Sequence, residues 1–169
     1  MNATRANARR TIWNYSMILE VTIDRPVKDV WPYFFGEKNA TWSKSEYTIV
    51  AGQEGEVGYT YLMDSPKYGV TYFFEAIRVK PEKELVLKIT YRELVEKMEA
   101  GQDVRKLMGY DMFELKEVAG RTTVAFQQAF AQPLEVPEDD LGAHTESTDK
   151  FLTEIFQNLK KSVESSKQN

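Results

Sequence analysis

Side chains able to do chemistry are sparse in this chain. It has one histidine, His144, and no cysteine. Thiol nucleophiles, thiolate metal sites and disulfides are excluded, as is any metal site built on several histidines. His144 lies in a polar stretch ahead of the last apolar repeat, where a solvated cap or linker is the ordinary role. Glu138, Asp139 and Asp140 cluster nearby, but acids at a helix start are favoured by the helix dipole without any metal. General acid–base chemistry needs a buried, perturbed carboxylate. Glu75 and Glu114 are the candidates, each inside a predicted strand among aromatic residues, with Arg78, Lys88 and Arg92 as available partners. The competing reading is a solvent-facing ladder, because Glu and Lys are seldom buried without partners. Gly52, Gly55 and Gly58 match neither dinucleotide nor P-loop spacing, and Glu54 and Glu56 would repel phosphate, so a hairpin turn is expected there.

Aromatic residues are the second resource. Nine Tyr, nine Phe and three Trp exceed what a minimal core requires, and they gather in predicted strands. Each tyrosine in a solid core would need a hydrogen-bond partner, so a partly open cavity is the better reading of the set. Ligand pockets are apolar walls with a few polar groups that orient the ligand. Trp42, Tyr59, Tyr61, Tyr72, Phe74, Tyr91, Tyr110, Phe126 and Phe130 are candidates for such a wall, faced by Phe151 and Ile155 from a helix. Glu75, Arg78 and Glu114 are candidate polar anchors.

The elements that must position these residues follow from periodicity. Residues 147–163 carry apolar side chains at Phe151, Leu152, Ile155, Phe156, Leu159 and Val163, the spacing of one helical face. Ser147 or Thr148 is the expected cap. Residues 17–24 alternate as a half-buried strand, and Pro26 opens a short helix that Pro32 must kink or shorten. Residues 37–43 form a second short turn carrying Trp42. Strands are expected at 46–50, 57–63, 70–80, 85–91, 107–116 and 121–131, with residues 92–106 a short helix or irregular insertion. Successive hairpins with flanking helices indicate an α+β fold with an antiparallel sheet.

A net charge of −4 gives nucleic-acid binding no support. No apolar run is long enough to span a membrane, no secretory signal is visible, and the expected location is cytoplasmic. Residues 1–16 read as a basic tail carrying Arg5, Arg9 and Arg10, and residues 17–169 as one domain.

The stretch Val21-Thr-Ile-Asp-Arg-Pro-Val-Lys-Asp-Val-Trp31 resembles the opening strand and Pro-initiated first helix of the START, polyketide-cyclase and Hsp90-ATPase-activator-like superfamily (SRPBCC). Gly55-Glu-Val-Gly58, Phe74-Glu-Ala-Ile-Arg-Val-Lys-Pro-Glu-Lys-Glu-Leu85 and the terminal helix extend the resemblance over about residues 17–165. Phe151 stands near where many bacterial members carry a Gly-Trp. The resemblance implies a helix-grip fold: a curved seven-stranded antiparallel sheet around a long C-terminal helix, with a deep, mostly apolar cavity between them. Members bind lipids, sterols, polyketides or plant hormones, and some are cyclases or chaperone cofactors.

The resulting expectation is a binder or carrier of a small hydrophobic or aromatic ligand, with no catalytic residue, cofactor or metal assigned. Three readings stand beside it. A cyclase or dehydratase would require a carboxylate with a raised pKa in the cavity. An Hsp90-activator-like interaction module would have a filled core and a functional surface. A stress-response or toxin-like partner protein would depend on the basic N-terminus.

Overall fold

The computed structural model describes residues 9–12, 16–43, 45–66, 69–93, 105–131, 134–137 and 141–166. In chain order these form β1 (Arg9–Ile12), β2 (Ser16–Ile23), α1 (Val27–Val30), a 3₁₀ turn (Trp31–Phe34), α2 (Gly36–Ser43), β3 (Thr48–Ala51), β4 (Thr60–Ser65), β5 (Val70–Lys80), β6 (Glu84–Glu93), β7 (Lys106–Val118), β8 (Arg121–Phe130), β9 (Leu134–Pro137) and α3 (Leu141–Ser165). Seven strands make one antiparallel sheet in the order β2-β8-β7-β6-β5-β4-β3. This is the α+β helix-grip layout. A separate two-stranded ribbon, not expected from the sequence, pairs β1 with β9 from Arg9↔Pro137 to Ile12↔Leu134.

The order explains the placement of the short helices. β2 and β3 are consecutive in the main sheet's chain path but occupy its opposite edges. The segment between them must therefore cross the sheet, and α1, the 3₁₀ turn and α2 make that crossing. Pro32 has the effect expected of it: after one turn of α-helix the chain tightens into 3₁₀ geometry, with the proline in the first turn. Gly36 then has φ 55°, and a Cβ there would overlap the Glu54 carboxylate. The β7–β8 turn also needs left-handed backbone, at Ala119 (φ 53°) and Gly120 (φ 74°), as in a tight two-residue hairpin.

Bulges lie between Ala76 and Arg78, between Ile89 and Thr90 on the β6–β7 ladder, and between Ile49 and Ala51. Each bends its strand and deepens the sheet's curvature. The concave face carries Val21, Ile23, Tyr61, Ala76, Leu85, Leu87, Phe113, Leu115, Val124 and Phe126, all buried in one core with Phe156, Leu159 and Val163 of α3.

α3 begins at Leu141, earlier than residue 147, and Ser147 and Thr148 lie inside it rather than capping it. Residues 141–149 have no apolar repeat, so periodicity could not register them. The C-terminal half of the helix is tied down. The Asp24 amide donates to Glu164 Oε1 (2.8 Å), Arg25 Nη2 to the Glu164 carbonyl (3.1 Å), Tyr33 to the Ser162 carbonyl (3.3 Å) and Lys160 Nζ to the Thr22 carbonyl (2.9 Å). No helix among the described residues is long and apolar enough to cross a membrane. Residues 94–104 and 138–140, and the side chain of His144, lie outside the described residues.

Candidate functional site

The upper part of α3 does not close on the sheet. Leu159 and Val163 have no exposed surface, whereas Leu152 and Ile155 are half-buried and Phe151 is 60% exposed. Between this end of the helix and the concave face lies a cavity of about 200 Å³. Its helix wall is Phe151, Leu152, Ile155 and Phe156, and Phe34, Asn39, Trp42 and Ser43 close it from the crossing segment. The sheet contributes Tyr61, Met63, Phe74, Leu85, Leu87, Asp111, Phe113 and Phe126, with Ser45 and Tyr47 at the side.

The wall is mostly aromatic and held by ring-to-ring packing. Tyr61 stacks on its cross-strand partner Phe74 at 4.9 Å and 9°, and Tyr47 leans on Tyr61 at 4.9 Å. Phe126 lies 5.1 Å from both Phe113 and Phe156. Trp42 is fixed by a 2.7 Å hydrogen bond from Nε1 to the Tyr33 carbonyl, and Asn39 Nδ2 donates to the Phe34 carbonyl at 3.1 Å. Such rings are rigid, so the cavity does not simply collapse.

Among the described residues one carboxylate enters this apolar wall. Asp111 lies on the concave face of β7 opposite Leu87 of β6 and Gln128 of β8, and it accepts a 2.8 Å hydrogen bond from Gln128 Nε2. Burial pushes its pKa up to about 7; the Gln128 hydrogen bond opposes the shift but does not cancel it. Burial also raises the Tyr61 hydroxyl well above its ordinary value, with the Asp111 charge adding to the effect. The Tyr47 hydroxyl is pushed up to about 12, chiefly by burial. Two hydroxyls on cavity-lining residues, Ser43 Oγ and Tyr47 Oη, are buried without a hydrogen-bond partner; the Ala40 backbone stands near the latter without bonding geometry. Buried polar atoms without partners are uncommon and costly.

Of the residues expected at the site, Trp42, Tyr61, Phe74, Phe126, Phe151 and Ile155 come together around the cavity. The others lie elsewhere. Tyr59 is buried beneath it, its hydroxyl accepting the Gly36 amide at 3.2 Å, a bond that fixes the crossing segment. Tyr72 and Tyr91 are cross-strand partners on the concave face, one step beyond Phe74 and Ile89 and outside the lining. Tyr110 and Glu114 alternate with Asp111 and Phe113 and so face outward, and Glu75 is exposed opposite Lys88. Arg78 is exposed and paired with Glu84 at 3.0 Å. Lys80 and Arg78 together hold the Glu84 carboxyl below its usual range.

Arg78 and Glu114 border a different depression, an open trough of about 970 Å³ on the outer face. Its rim interleaves Glu20, Lys80, Glu84 and Lys116 with apolar Val86 and Met112. Although larger, its lining is rich in charged side chains, of which Arg78 and Lys80 pair with Glu84; the aromatic cavity holds the perturbed carboxyl of Asp111. Among the described residues no three potential metal-ligating side chains of His, Cys, Asp or Glu converge.

No family model matches the chain. No curated protein matches it either. Solved structures do. A protein of Rhizobium leguminosarum is similar over 94% of this chain and 99% of its own, with a TM-score of 0.63 and 14% identity. A Mesorhizobium loti protein matches over 90% of this chain and 99% of its own (TM-score 0.60, 15% identity). DynU16, encoded in the dynemicin biosynthetic locus, matches over 89% of this chain and 47% of its own (TM-score 0.60, 14% identity). At these identities the likeness concerns the fold.

Proposed function

We propose that this chain binds a small apolar or aromatic molecule between the concave sheet face and the middle of α3, where Phe151, Leu152, Ile155 and Phe156 form the wall. The observation that carries this reading is the aromatic-lined cavity with a perturbed carboxylate in its wall. Its volume, about 200 Å³, narrows the class. An engineered cavity of about 150 Å³ takes benzene, so this one suits a single ring with a short substituent. A lipid or polyketide chain would fit only with the helix displaced. The cavity argues against a filled-core interaction module.

Native mass spectrometry of the purified protein tests the reading. A bound mass, or saturable quenching of tryptophan fluorescence by single-ring compounds, is expected because Trp42 forms part of the wall. Failure of every such compound to bind at millimolar concentration would remove it. A second reading, proton transfer of the cyclase or dehydratase kind, is favoured by Asp111 alone. A carboxyl titrating near neutrality can take and return a proton at physiological pH. Turnover lost in Asp111→Asn, with ligand still bound, would favour it.

A further inference from the structure

The charge balance of the cavity is unusual for an apolar pocket. Among the described residues Asp111 is its one carboxylate, and no Lys, Arg or His lines it. Around Asp111, β6 presents Leu87 and β8 presents Gln128. The crossing segment presents Asn39, Trp42 and Ser43, and α3, among its described side chains, Phe151, Leu152, Ile155 and Phe156. The titratable groups facing it are Tyr61 and Tyr47, both with raised pKa values and hence neutral. An ionised Asp111 therefore has a neutral donor, Gln128, and no counter-charge among the described residues. Around it stand aromatic rings, whose faces attract cations.

Resting on the ligand-cavity reading, we infer that the preferred ligand is a small single-ring amine. Its ammonium sits on Asp111 and its ring lies among Tyr61, Phe74, Trp42 and Phe126. The ammonium supplies the missing counter-charge, and with three donors it can also reach the unpartnered Ser43 and Tyr47 oxygens as acceptors. A carboxylate ligand brings a like charge and is rejected. A neutral alcohol gains a hydrogen bond without the charge pairing.

The test uses four ligands of similar shape: 2-phenylethylamine, 2-phenylethanol, phenylacetate and ethylbenzene. Each is titrated at pH 8.5 into the full chain and into Asp111→Asn. The amine is protonated there, as a lysine would be. We expect the amine to bind at least tenfold more tightly than the alcohol, phenylacetate to bind weakest, and the amine's advantage to vanish in Asp111→Asn. Should that variant not fold, the parent chain gives an independent readout. Calorimetry in two buffers of different ionisation enthalpy should show close to one proton released on amine binding at pH 6, where Asp111 is protonated, and almost none at pH 8.5. Binding of ethylbenzene and the alcohol with no preference for the amine overturns this inference and leaves the cavity reading intact. Absence of binding by all four overturns both.

Discussion

Asp111 is a cost to the folded state at neutral pH, and the sign of that cost is testable. Its carboxyl is raised from an ordinary 3.8 to about 7 by burial. Below the unfolded value both states hold the proton and no penalty exists. Between about pH 4 and 7 the unfolded chain ionises while the folded chain cannot, so stability falls as pH rises. The loss levels off above the folded pKa, at most on the order of 4 kcal/mol. Asp111→Asn removes this dependence while keeping a partner for Gln128. The stability gap between variant and parent, from urea unfolding, should grow from pH 4 to about pH 7 and then level off; a gap that stays constant would show that Asp111 is not desolvated. Two residues away, Gly109 has a different constraint. A Cβ there would overlap the Ala129 carbonyl oxygen and sit 3.0 Å from Phe130 Cα. Gly109→Ala should destabilise by about 1–3 kcal/mol, the usual penalty for overpacking, measured as a lower unfolding midpoint.

At the scale of elements, α3 has two halves with different duties. Leu159 and Val163 are fully buried, and hydrogen bonds from Asp24, Arg25, Tyr33 and Lys160 fasten this end to β2 and the crossing segment. Leu159→Ala should cost about 2–5 kcal/mol as a cavity-forming core truncation. Phe151, mostly exposed at the rim, should cost less than about 0.5 kcal/mol when truncated to Ala. The same change should speed ligand dissociation, because it opens the helix wall. Stopped-flow release of a fluorescence-quenching ligand reads this directly, and an unchanged rate would remove Phe151 from the wall. The crossing segment is also more than a linker. Trp42 and Asn39 close the cavity, while the Tyr59 hydroxyl binds the amide of Gly36 and keeps that closure in register.

For the whole molecule, ligand binding and folding share one equilibrium, because the cavity exists only when sheet, crossing segment and α3 are assembled. A ligand at 100 times its dissociation constant adds about 2.7 kcal/mol. In a chain of 169 residues that should raise the melting temperature by roughly 5–10 °C. A thermal shift series with single-ring ligands measures it, and a flat response at saturating ligand would contradict binding to the native state. The outer trough should respond differently. Its Arg78–Glu84 and Lys80–Glu84 pairs are exposed, so salt screens them and their loss should change stability little.

Much of this architecture was legible in one dimension. A period of two marked the strands, a period near 3.6 marked the buried half of α3, and Pro26 and Pro32 marked a short, interrupted first helix. Those signals are local, which is why they survive without coordinates. The carboxylate was not found that way: the sequence pointed to Glu75 and Glu114, whereas the structure turns Asp111 inward with Phe113 and Leu115 and leaves Glu114 outward with Tyr110 and Lys116. What alternation cannot say is which strand face becomes concave, nor how far along that face the cavity extends, so Tyr110 on the outer face and Tyr72 and Tyr91 beyond the lining could not be sorted from Tyr61. Nor is the start of α3 written in apolar spacing, since residues 141–149 have none. Only the tertiary structure decided that six aromatic and aliphatic side chains expected at a site, from five different elements, converge on one cavity. It also decided that the carboxylate among them is Asp111, because burial and the pairing of β7 with β8 are properties of the assembled sheet.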